Sequence, residues 1–262
     1  MFIKAKNCPP PRKSSVIGAG AEKGFTLAEV LITLGIIGVV SALIMPTLIQ
    51  NHKKKVAVTQ LKATYSILSQ AVNLSITENS EIESWNFNLN NIEFAKKYIL
   101  PYLKVIETKD TYNSAWNLTT LSTQHGYHSS YLFWNIGIIN SPIYILANDS
   151  AFNISNDNGN NRGVVLISAD INGKKAPNIL GIDGFVFYLD KNRNQLLPYG
   201  FGQSKNVLLG KQGGRTGACV RDSTWQYYRG MDCASIIMMD GWQISDDYPW
   251  GNGGKTPLPP KE

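Results

Sequence analysis

Lys23-Gly24-Phe25-Thr26-Leu27-Ala28-Glu29, followed by the apolar run from Val30 to Met45, decides the fold. From Val30 to Asn51 there is no acidic or basic residue. At about 1.5 Å per residue a helix from Phe25 to Gln50 is ~37 Å long, enough to cross a hydrocarbon core of ~30 Å with some tilt. The segment is therefore expected to span a membrane. A carboxylate inside such a run costs on the order of 3 kcal/mol at the bilayer centre and less near an end, so Glu29 needs a partner or a job. Pro46 removes one backbone hydrogen bond, which predicts a kink or a locally melted turn. Past the span, Ala57, Leu61, Tyr65, Leu68, Val72 and Ile76 recur at three- and four-residue steps. That period continues one amphipathic helix to about Thr77, the spine against which a sheet packs.

A basic leader ends in Gly24, Phe25 comes next, Glu29 follows four residues on with Thr26 and Leu27 between, and Pro46 lies near the end of the run. On these residues the chain resembles the type IV pilin-like proteins: pilins and the pseudopilins of type II secretion systems. The match covers about the first fifty residues. The resemblance implies that a membrane aspartyl peptidase cuts between Gly24 and Phe25 and methylates the new amine, so that Phe25 becomes the mature N-terminus. It implies an α+β, pilin-like fold in which a long N-terminal helix, transmembrane and then amphipathic, packs on a small antiparallel β-sheet. It also implies a role in assembly for Glu29 and Pro46. The partners it implies are sister subunits, the prepilin peptidase, an assembly platform protein and its ATPase. The implied location is a single-pass anchor in the inner membrane with the head outside the cytoplasm, then a filament. The expected organisation is a cleaved leader 1–24, a filament-core helix 25–50, a globular head 51–250 and a flexible tail 251–262.

A physical argument points the same way. An ordinary secretory signal is cut after its apolar segment, whereas the only small residue here that joins a basic flank to the apolar run is Gly24. Cutting there keeps the apolar helix. A new ammonium at Phe25 and the carboxylate of Glu29 are costly alone and tolerable when paired between neighbouring subunits. The competing reading is a membrane-anchored binding protein or enzyme that does not polymerise.

The formal charge of +6 is mostly leader: Lys4, Lys6, Arg12, Lys13 and Lys23 stand against Glu22 alone. Beyond Lys53-Lys54-Lys55 there is no basic stripe, so the charge balance does not point to nucleic acid. Cleavage would remove Cys8 and leave Cys219 and Cys233 in an exported domain, either as a disulfide, in the position where type IV pilins often bridge a C-terminal loop, or as two free thiols. A bridge closing about fourteen residues stabilises by roughly 3 kcal/mol.

Phe94 to Leu103 is predicted as a short helix broken at Pro101, and Tyr131 to Ile139 as a strand or buried turn. Ile143 to Leu146, Val164 to Ile167 and Phe185 to Tyr188 are predicted strands of an antiparallel sheet. Between the last two, Asp170, Asn172 and Asp183 offer oxygen ligands that could suit calcium, which takes six to eight; a turn built on Asn-Gly and Asp-Gly steps is the competing explanation. No cofactor is required by this reading. Asp190 to Asn194 begins like a calcium loop but has Gln195 where glycine is needed, so a polar turn is expected. Gly253-Gly254-Lys255-Thr256 lacks the first glycine of a phosphate loop, His125 and His128 lack a third ligand, and no nucleophilic elbow is present. No catalytic residue is assigned.

Overall fold

The computed structural model describes residues 24–109, 141–156, 164–173, 175, 180–212, 219–220 and 230–249. The helical periodicity yields one 53-residue helix, α1 (Leu27–Asn79). Helical backbone continues through Pro46, so the local melting expected there does not occur. The proline costs α1 only the hydrogen bond that would have reached the Ala42 carbonyl. The chain divides into two compact units, Met1–Ile49 and Gln50–Glu262.

In the second unit, α2 (Asn91–Tyr98) opens on a capping box in which Asn90 accepts from the Glu93 amide and Glu93 answers the Asn90 amide. A single 3-10 turn at Leu100–Tyr102, containing Pro101, ends this stretch. The predicted break at proline is therefore real, though the α-helix starts earlier than expected. Six strands follow: β1 (Val105–Lys109), β2 (Ile143–Leu146), β3 (Ala151–Asn156), β4 (Val165–Asp170), β5 (Gly184–Asp190) and β6 (Gln195–Pro198). They pair in chain order as one antiparallel sheet. Two short helices, α3 (Lys205–Leu208) and α4 (Cys233–Met239), complete the described elements.

Residues alternate across the sheet, so each face has its own core. On one face Phe152, Ile154, Ile167, Phe185 and Phe187 meet Leu61, Leu68 and Val72 of α1 and Ile236 and Ile237 of α4. On the other, Ile143, Ile145, Ala151, Leu166, Val186 and Met231 form a smaller cluster. Strands buried on both sides read as unbroken apolar runs, which is why β2, β4 and β5 stand out in the sequence. The buried face of α1 is Ala57, Leu61, Thr64, Leu68, Ala71, Val72 and Ser75; Tyr65 and Ile76 lie at its margin, half-buried. Tyr65 also donates its hydroxyl hydrogen to the Leu196 carbonyl on β6 at 2.9 Å.

Candidate processing and assembly site

Gly24, Phe25 and Thr26 precede α1 in non-helical backbone, and Phe25 is 85% exposed. The first helical hydrogen bond there runs from the Val30 amide to the Thr26 carbonyl at 3.2 Å. The Gly24–Phe25 peptide is thus outside the ladder that would otherwise tie it down. Glu29 Oε2 accepts from the Thr26 backbone amide at 2.8 Å and from the Thr26 hydroxyl at 2.9 Å, while the Glu29 amide donates to Thr26 Oγ1 at 3.3 Å. This reciprocal pair is a capping box, and it satisfies two donors that a helix start leaves open. The carboxylate that seemed to need a partner has one within its own chain. The signal was present in the sequence as Thr-x-x-Glu before an apolar run.

Behind the cap, Leu31, Leu34, Ile37, Leu43 and Leu48 are all exposed. The most apolar 18-residue window of α1 has a mean hydropathy of 2.4, and none of it is buried within the chain. Added methyl groups at Gly35 and Gly38 would meet nothing. Such a surface has to be covered by lipid or by other helices, since scattered exposure on this scale is not what a water-facing helix shows. The segment is long and apolar enough to cross a membrane.

Asp170, Asn172 and Asp183 do come together. Asn172 donates its backbone amide to Asp170 Oδ1 at 3.0 Å and its side-chain amide to Asp183 Oδ2 at 3.2 Å. Asp170 and Asp183 are only 1% and 2% exposed. Burial, and then the Asp183 carboxylate beside it, push the Asp170 carboxyl up to about 8. Asn172 turns N–H, a donor, toward Asp183, while its own side-chain oxygen is buried with no hydrogen-bond partner among the described residues. No group of three or more His, Cys, Asp or Glu that could hold a metal occurs among the described residues.

The connection after β4 does use positive backbone angles, at Gly173 (φ +67°) and Gly181 (φ +81°), whereas Gly184 is already strand. A Cβ on Gly181 would collide with the Cys233 sulfur. Cys233 is bonded to Cys219, with Cα atoms 4.8 Å apart and both residues buried, so the pair is a disulfide and not two thiols. The Asp190 turn is polar as expected: its carboxylate accepts from the Arg193 amide at 2.9 Å and guanidinium at 3.0 Å, and Asn194 Oδ1 accepts from the Ile82 amide at 2.8 Å. The leader, Tyr131 to Ile139, His125, His128, Pro177-Asn178, and the tail with Lys255 lie outside the described residues.

A family model described as "Family of unknown function (DUF6613)" matches residues 47–251, and one described as "Prokaryotic N-terminal methylation motif" matches residues 20–45. The second is the signature of type IV pilins and pseudopilins, proteins that assemble with other pilin subunits and are served by a prepilin peptidase. Comparison with curated proteins and with solved structures returns no match.

Proposed function

The chain belongs to DUF6613, a family of unknown function, and carries the N-terminal methylation motif ahead of that region; from this premise we propose that it is a filament subunit, a pseudopilin or minor pilin. A prepilin peptidase cuts after Gly24 and methylates Phe25. The product is held in the inner membrane by residues Phe25 to Gln50, with the head on the far side. An assembly ATPase, acting through a platform protein, then draws it into a helical filament. Residues Phe25 to Pro46 pack in the filament core, and Glu29 leaves Thr26 for the ammonium of a neighbouring subunit. The protein performs no chemistry; its activity is polymerisation.

The observation that carries this reading is the unpartnered apolar surface of α1 behind a capped N-terminus whose Gly24–Phe25 step lies outside the helix. Exchanging the Thr26 hydrogen bonds for an ion pair in apolar surroundings is favourable only once a second chain supplies the cation. The test is the mass of the mature N-terminal peptide. It is expected to begin at Phe25 with one added methyl; an intact Met1, or a cut beyond the span, overturns the reading.

A further inference from the structure

In the second unit, α1 carries Lys53, Lys54 and Lys55 near its start and Glu78 near its end, with Glu81 and Glu83 directly after it. All six side chains reach the surface, and none is in an ion pair among the described residues. Glu78 accepts a hydrogen bond from the Tyr102 hydroxyl at 2.8 Å, which leaves its charge in place. Each end also carries an exposed aliphatic side chain, Val56 (40%) at the basic end and Leu74 (52%) at the acidic one. Lys54 and Glu78 are 24 residues apart along one helix, about 36 Å at 1.5 Å per residue.

Three cations at one end and three anions at the other make this stretch complementary to itself. Two arrangements use that complementarity: an antiparallel pair, or parallel copies displaced along the helix axis. Subunits anchored in one membrane by the same terminus share one orientation, which excludes the first. We infer that this stretch docks on a second copy of the chain, the lysine end of one subunit meeting the glutamate end of the next. The inference rests on the filament reading above. The contact is head-to-tail and does not close on itself, which is the geometry that yields open helical polymers. Before assembly the same lysines adjoin the span, where anionic headgroups suit them. Incorporation exchanges headgroup for glutamate.

The test uses the full chain, expressed with its processing and assembly machinery. One variant reverses the basic end (Lys53→Glu, Lys54→Glu, Lys55→Glu), a second reverses the acidic end (Glu78→Lys, Glu81→Lys, Glu83→Lys), and a third combines all six. Like charges facing each other oppose docking strongly, so each single reversal should lower filament yield by ~tenfold or more, and the combination should return it to within ~twofold of wild type. Independently, Lys54→Cys with Glu81→Cys should give an oxidative cross-linking ladder in filaments that neither substitution gives alone. Wild-type filaments that tolerate either reversal, or a combination no better than its parts together with no ladder, overturn this contact and leave the filament reading standing. A wild-type chain that starts at Phe25 yet never polymerises overturns both.

Discussion

The two units of this chain solve the problem of apolar surface in opposite ways. Around residues 50–249 nearly every large apolar side chain of the sheet is covered, on both faces, by the chain itself. Between Leu27 and Ile49 almost none is. The first unit therefore cannot be explained by its own fold, and its residues are legible only as surfaces for lipid or for other copies. The second explains itself as a stable body. The difference separates substitutions that should spoil assembly from those that should spoil folding.

The largest effect expected belongs to the first class. Glu29→Val should leave the cut after Gly24 intact while lowering filament yield on the order of a hundredfold, because the ammonium it would have met is left unpaired. Normal yield from that variant removes Glu29 from assembly. Next comes a matched pair of leucines. Leu68→Ala, in the core between α1 and the sheet, should destabilise the head by about 2–5 kcal/mol in urea unfolding, whereas Leu34→Ala, on the exposed stretch, should change it by less than about 0.5 kcal/mol. Equal effects would erase the distinction between the units.

A comparable effect, spread over several pH units, is expected from Asp170. Its carboxyl is raised to about 8, so the folded head holds a proton that the unfolded chain releases near pH 4. The associated stability is complete at low pH and is lost as pH rises toward 8. Over that interval wild type should lose up to about 1.4 kcal/mol per pH unit relative to Asp170→Asn, which has no proton to release. Chelation should leave the wild-type melting temperature unmoved; a rise with added calcium would instead place a cation among Asp170, Asn172 and Asp183. The smallest effect is at the cap. Thr26→Ala should speed hydrogen exchange of the first-turn amides of α1 by about fivefold, with the helix beyond Leu61 unaffected.

The anchor was legible because its signals are local: an uncharged run, a glycine before it and an acid at a fixed step. The reciprocal cap was equally local in Thr26-Leu27-Ala28-Glu29, but it is hidden when Glu29 is considered only as a charge. The strands β2, β4 and β5 show as apolar runs, while β3 does not, because Asn153, Ser155 and Asn156 interrupt it yet are buried. Asn156 is held by what surrounds it, donating to the Phe87 and Leu89 carbonyls at 2.8 and 2.9 Å. Such partners lie 67 and 69 residues away and leave no trace in a window of sequence. Likewise Thr64 and Ser75 interrupt the hydrophobic period of α1 but face its core. Of the two outermost strands described, β1 is mostly exposed, and Glu107, Thr108 and Lys109 keep it from reading as an apolar run.

Those outer strands have a consequence for crowding. β1 carries Glu107 and Lys109, joined at 2.9 Å, and β6 ends on Pro198, which has no amide to offer, while Tyr65 occupies the Leu196 carbonyl. A polymer packs its subunits far more densely than free solution does, and bare sheet margins brought that close would zip together irreversibly. On the filament reading proposed above, blunted margins would leave the helices as the route of growth, so that a filament could lengthen and be taken apart again without its heads fusing into amyloid.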